Sequence, residues 1–160
     1  MHESRLERLR RALQDQQLDG VIITHNVDLF YFTGTMQSGY LVVPAYGTPI
    51  FYVRRSVTRA QEESKLAIEP LGSIKTWKER LAAAFPVLAG ECKLAVTFDT
   101  LPVSGYDRLR KALPDVTWSD GTSIVRTIRM VKDAGEIASI RRAAKLVDEA
   151  LAEALPKLAA

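Results

Sequence analysis

One cysteine, Cys92, and two histidines, His2 and His25, are the only thiol and imidazole groups in the 160 residues. A single thiol cannot form an internal disulfide or a CxxC zinc site. No H-x-x-x-H or H-E-x-x-H pair occurs, and nothing in the sequence places several carboxylates around a histidine, so a metal centre has no motif behind it. GxGxxG and GxxxxGK[ST] are both absent, which leaves nucleotide binding without a phosphate loop. No segment approaches ~20 continuous apolar residues, the length a membrane-spanning helix needs. The N-terminus is charged and amphipathic rather than a signal peptide with an apolar core. A cytoplasmic location is the expectation. Charge of one sign is also scarce: the formal net charge is +3, and Arg5, Arg8, Arg10 and Arg11 are interleaved with Glu3, Glu7 and Asp15. That pattern reads as the solvated face of a helix, not as the dense, aromatic-studded basic surface of a nucleic-acid binder. Neither nucleic acid nor a membrane is an expected partner.

What remains is an ordinary globular composition, 47% apolar and 26% charged, of single-domain length. A compact chain of this size buries roughly 70% of its unfolded surface, so no staple is required. Ser4 and Glu7 form a candidate capping box for a first helix with Leu6, Leu9 and Leu13 on one face. Leu18-Asp19-Gly20 ends it, and Val21-Ile22-Ile23-Thr24 reads as a strand covered on both faces. In Asn26-Val27-Asp28-Leu29-Phe30-Tyr31-Phe32-Thr33-Gly34, Asn26 or Asp28 is placed to cap a short helix that Gly34 ends. Tyr40-Leu41-Val42-Val43 and Ile50-Phe51-Tyr52-Val53, joined through Pro44 and Pro49, predict a hairpin. Beyond it the pattern predicts a short helix over residues 56–64, strands near 67–71, 93–98 and 116–118, and a helix carrying Trp77, Leu81 and Phe85. Another carries Tyr106, Leu109 and Leu113 behind Pro102, and Asp120 or Thr122 is placed to cap a short helix through Val125 and Ile128. Finally, Asp133 and Glu136 cap a long helix whose stripe of Ile137, Ile140, Ala144, Val147, Leu151 and Leu155 needs a cover. Pro156 and the abrupt finish read as a cut at a connection. The alternation predicts an α/β fold with a mixed sheet of about five to six strands flanked by helices.

Chemistry is thinly supplied. His25 follows a buried strand, where a structural polar contact is the simpler reading than catalysis. Cys92 precedes a buried strand and lacks the positive, accessible setting of a reactive thiolate. Ser38-Gly39 and Ser104-Gly105 fall outside any G-x-S-x-G elbow. Catalysis by this chain alone is not expected. Arg54-Arg55, leaving the second hairpin strand, can grip a carboxylate or phosphate, or can bond Glu62 or Glu63 as ordinary strand-end charges. The loop Gly34-Thr35-Met36-Gln37-Ser38-Gly39 is able to reach a partner surface, and is equally a plain connector.

The ordered set of motifs resembles one family. Leu18-Asp19-Gly20-Val21, Asn26 through Tyr31-Phe32-Thr33-Gly34, and Tyr52-Val53-Arg54-Arg55 are followed by Leu101-Pro102-Val103 with Tyr106 and Leu109. Trp118-Ser119-Asp120 and then Ile128-Arg129-Met130-Val131-Lys132 with Glu136-Ile137 complete it. The whole is similar to the N-terminal domain of the creatinase, prolidase and Xaa-Pro aminopeptidase group of "pita-bread" metallohydrolases. It departs from the tightest form of the pattern between Asn26 and Tyr31 and at Lys132-Asp133-Ala134-Gly135-Glu136.

The resemblance implies a creatinase/prolidase N-terminal-like domain over residues 1–132. Residues 133–160 would be a helix leading toward a catalytic domain that follows and packing here on its own domain. No metal ligand or other cofactor is expected in this chain; two divalent ions are expected in the catalytic half, held by two aspartates, a histidine and two glutamates. The implied parent is a hydrolase, an aminopeptidase or Xaa-Pro dipeptidase. Its partners would be that catalytic domain, a second subunit in a homodimer, and a peptide substrate. The resemblance places Thr35, Met36, Gln37 and Ser38, with Arg54 and Arg55, at the border of the partner subunit's active site. The rival expectation is a stand-alone protein-binding module derived from such a peptidase.

Overall fold

The computed structural model describes residues 2–73, 76–86 and 91–158, with the side chains of residues 2–4 and 158 left aside. It divides into two units, His2–Ile128 and Arg129–Ala160. The first holds a six-stranded mixed sheet in the order β4-β3-β2-β1-β5-β6. Its strands are β1 (Gly20–Ile23), β2 (Gly39–Pro44), β3 (Ile50–Val53), β4 (Ala67–Pro70), β5 (Cys92–Val96) and β6 (Val116–Asp120). The helices are α1 (His2–Asp15), α2 (Asn26–Thr33), α3 (Val57–Glu63), α4 (Trp77–Ala84), α5 (Val103–Ala112), α6 (Thr122–Met130) and α7 (Ala134–Leu158). β1 runs antiparallel to β2 and β2 to β3, while the β1–β5, β5–β6 and β3–β4 pairs are parallel.

The apolar runs explain this order. Every residue of β1 and β2 is buried, whereas the edge strands β4 and β6 are half-exposed. Successive side chains of a strand point to opposite faces, and the core divides accordingly. Val21 and Ile23 of β1, Leu41 and Val43 of β2, and Phe51 and Val53 of β3 meet Leu9 and Leu13 of α1, Leu29 and Phe32 of α2, Ala60 of α3 and Ile124 and Val125 of α6. On the other face Ile22, Tyr40, Val42, Tyr52 and Leu94 meet Trp77 and Leu81 of α4 and Leu109 of α5. Three layers result, a sheet between two sets of helices.

Local details tie the layers together. The Asp19 carboxylate accepts the Lys93 N–H at 2.7 Å, and its own N–H donates to the Lys93 carbonyl at 2.9 Å, clamping the entrance of β1 to β5. Arg5 lies 4.2 Å above the Tyr31 ring and donates to the Tyr31 carbonyl at 2.8 Å, while the Tyr31 hydroxyl donates to the Ile128 carbonyl at 3.3 Å. The aromatic turn of α2 is thus locked between α1 and α6.

Two expected caps differ. α1 already includes Ser4, so that residue does not start it. At α2 the capping residue is His25, with no side-chain cap bond; Asn26 is the first helical residue, and Asp28 is buried in hydrogen bond with His25. Gly34 closes α2 as expected, at φ 81°, a left-handed conformation that favours glycine.

In the second unit, α7 begins on the predicted reciprocal cap. The Asp133 N–H donates to Glu136 Oε2 at 2.8 Å and the Glu136 N–H to Asp133 Oδ1 at 2.9 Å. Pro156 lies within the helix. The stripe predicted to need a cover is exposed, with Ile140, Val147, Leu151 and Leu155 each more than half accessible.

Candidate functional site

At the carboxyl ends of β1 and β5 the surface opens into a cleft of about 290 Å³. Residues 24–26 lead from β1 into α2 along one wall, and residues 38–40 enter β2 beside them. Residues 100–102 and Gly105, at the start of α5, form the opposite wall. Arg54, just past β3, and Arg108, on α5, line it as well.

Chain geometry sets each position. Gly39 pairs with Val53 where a Cβ would stand 2.1 Å from the Tyr52 carbonyl oxygen, so only glycine lets β2 begin this close to β3. The Arg54 N–H then donates to the Ser38 carbonyl at 2.9 Å, which places the guanidinium at the rim, 6.0 Å from the Tyr40 ring centre. A Cβ on Gly105 would meet Leu101 at 2.9 Å, so the first turn of α5 packs tightly on the preceding loop. Thr100 donates to the Thr97 carbonyl at 3.2 Å and to its hydroxyl at 3.0 Å, fixing that loop to the end of β5.

The cleft carries the guanidinium groups of Arg54 and Arg108 and the imidazole of His25, and no carboxylate is among the described residues that line it. His25 Nδ1 is 3.3 Å from the buried Asp28 carboxylate. Such a site can hold an anion. Cys92 is buried, and desolvation, helped by the Asp19 and Asp115 charges, pushes its thiol up, away from thiolate chemistry. Among the described residues no group of three histidine, cysteine, aspartate or glutamate side chains is placed to hold a metal ion. No described helix is long and apolar enough to cross a membrane.

Of the six residues singled out from the sequence, the cleft joins Ser38 and Arg54. Thr35 is fully buried and its hydroxyl donates to Glu63 Oε2 at 2.6 Å, so it anchors the loop instead of facing outward. That bond, with the one from Arg59 Nε at 2.6 Å, holds the Glu63 carboxyl below the usual carboxylate range. Glu63 is therefore committed elsewhere and is no partner for Arg54 or Arg55. Met36 is 63% exposed, Gln37 is half-buried and Arg55 is exposed, all outside the cleft lining. Arg108 was missed by sequence reasoning. On an amphipathic helix it resembles any outer-face arginine, and only the placement of β5 beside β1 brings it to the cleft.

The Creatinase/Prolidase N-terminal domain family matches residues 5–131. An Xaa-Pro dipeptidase of Pyrococcus furiosus is 24% identical over 98% of this chain and 43% of its own length. A probable dipeptidase PepE of Mycobacterium tuberculosis is 28% identical over 92% of this chain and 41% of its own length. The prolidase structure from Pyrococcus horikoshii OT3 superposes with a TM-score of 0.79 at 20% identity, over 96% of this chain and 42% of that one. The creatinase/prolidase N-terminal domain of an X-Pro dipeptidase from Streptococcus pyogenes superposes at 0.65 and 20% identity, over 78% of this chain and 98% of that one. The chain thus spans about two-fifths of the length of the curated relatives it matches. With the family matched across all six strands and the mixed sheet in place, the chain belongs to the Creatinase/Prolidase N-terminal domain family.

Proposed function

We propose that this chain is the non-catalytic N-terminal domain of a cytoplasmic Xaa-Pro dipeptidase- or aminopeptidase-type metallohydrolase, acting within a homodimer to shape substrate access. The observation that carries the reading is the family match over residues 5–131, alongside relatives of whose length the chain spans about two-fifths. Residues 1–132 form the accessory domain, and residues 133–160 lead into the catalytic half, where two divalent ions would be held. The exposed stripe of α7 supports this reading, since an amphipathic helix is stabilised by covering its apolar face.

In the same reading Met36, Gln37, Ser38, Arg54 and Arg55 border the active site of the other subunit. Thr35, tied to Glu63, holds the loop that presents Met36, Gln37 and Ser38. In the full-length enzyme the triple variant Met36→Ala, Gln37→Ala, Arg55→Ala is expected to lower kcat/KM for an Xaa-Pro dipeptide by about tenfold, a loss of roughly 1.4 kcal/mol in transition-state stabilisation. An unchanged kcat/KM would remove the access role. A chelator is expected to abolish full-length activity, and metal-dependent cleavage by the 160-residue chain alone would overturn its assignment as non-catalytic.

A further inference from the structure

We propose that the cleft at the carboxyl ends of β1 and β5 is an oxyanion site of the α/β unit itself, taking a small phosphate- or carboxylate-bearing molecule. Neighbouring parallel strands here send their connections to opposite sides. β1 leads into α2, whose Leu29 and Phe32 pack on one face of the sheet, and β5 leads toward α5, whose Leu109 packs on the other. Where adjacent connections diverge in this way, a crevice is left outside the strand ends, and that is where open α/β sheets bind ligands.

The charges favour an anion. Arg59, Arg80 and Arg126 each bond an acidic partner, namely Glu63, Glu69 and Asp99. Arg54 and Arg108 form no ion pair among the described residues, although they are the two guanidinium groups that line the cleft. Arg108 commits only its Nε, to the Ser104 carbonyl at 3.1 Å, which leaves its terminal amino groups for a ligand. Arg54 stands over the Tyr40 ring with its fork open. Guanidinium groups of this kind recognise carboxylate and phosphate oxygens through paired N–H bonds. A volume of about 290 Å³ suits a small molecule, because pockets for drug-sized ligands begin at roughly 300 Å³. The site lies within one unit of one chain, and although Ser38 and Arg54 also belong to the proposed substrate border, anion binding by the 160-residue chain is measured without any peptidase activity.

The test is a titration of the ¹⁵N-labelled 160-residue chain with sodium phosphate, and separately with sodium acetate, at fixed ionic strength. Saturable shifts are expected at the amides of Asn26, Gly39 and Gly105. Arg54→Gln and Arg108→Gln are each expected to weaken binding by about tenfold, while Arg11→Gln, an exposed change on α1, leaves it unaltered. Saturation by phosphate alone identifies a phosphate-bearing ligand, and saturation by acetate a carboxylate. Linear, non-saturating shifts with both anions overturn the proposal. Equal weakening by Arg11→Gln does the same, because it reports screening of net charge rather than a site. If one cleft variant fails to fold, the other decides.

Discussion

Tyr52 is fully buried against Trp77, with the Arg80 guanidinium 5.1 Å from its ring centre, and its hydroxyl has no hydrogen-bond partner among the described residues. Burial first, and then the Glu69 charge, push the phenol up to about 12, with Arg80 opposing. The folded state therefore keeps a proton that the unfolded chain gives up near its ordinary value of about 10. Stability conferred by Tyr52 is complete below about pH 10 and falls as pH rises toward about 12. Tyr52→Phe removes the unpartnered hydroxyl and its titration together. Stability at neutral pH is expected to stay within about 0.5 kcal/mol of wild type or to rise, because burying an unbonded hydroxyl is unfavourable. The alkaline loss of stability should become shallower. Urea midpoints at about pH 7 and about pH 11 check both; a neutral-pH loss above about 1.5 kcal/mol would mean that the hydroxyl makes a hydrogen bond worth keeping.

The cap of α7 formed where its local signal lay, whereas Ser4 fell inside α1 instead of starting it. The Asp133 and Glu136 pair is complete within four residues, so its reciprocal bonds at the start of α7 needed no tertiary contact to be foreseen. Asp133→Ala is expected to cost that first turn about 1 kcal/mol, raising amide exchange at Glu136 and Ile137 by about fivefold. Asp133→Asn, which keeps an acceptor oxygen, should restore most of the protection, and unchanged exchange in the alanine variant would show that the cap is not holding the turn. α2 behaved otherwise. Its end at Gly34 was legible, because a left-handed residue after an apolar turn calls for glycine. Its start was not: Asp28 has the chemistry of a cap, but it is buried and turned to His25, and the chain entry from β1 sets the helix start instead. Thr35 shows the same competition, a small polar loop residue drawn inward by a carboxylate on α3.

Over the whole molecule the sheet separates two cores, and Ile22 and Ile23, adjacent in sequence, belong to different ones. Ile22→Val and Ile23→Val should each cost about 0.5–1.5 kcal/mol. Because their side chains share no packing partners, the double variant should match the sum within about 0.5 kcal/mol. Denaturant melts of the four proteins measure this, and a coupling above about 1 kcal/mol would mean that the two faces relax as one. The elements, their order and the double burial of β1 are legible in the sequence, because apolar periodicity and turn residues act over a few residues. The sequence determined the family as well, through motifs kept in order along the chain. It could not show that Arg54 and Arg108 share a cleft. That depended on β5 inserting beside β1 and on their connections leaving toward opposite faces. Strand order is settled by long-range pairing and by burial of both sheet faces at once, and only the tertiary structure holds that information.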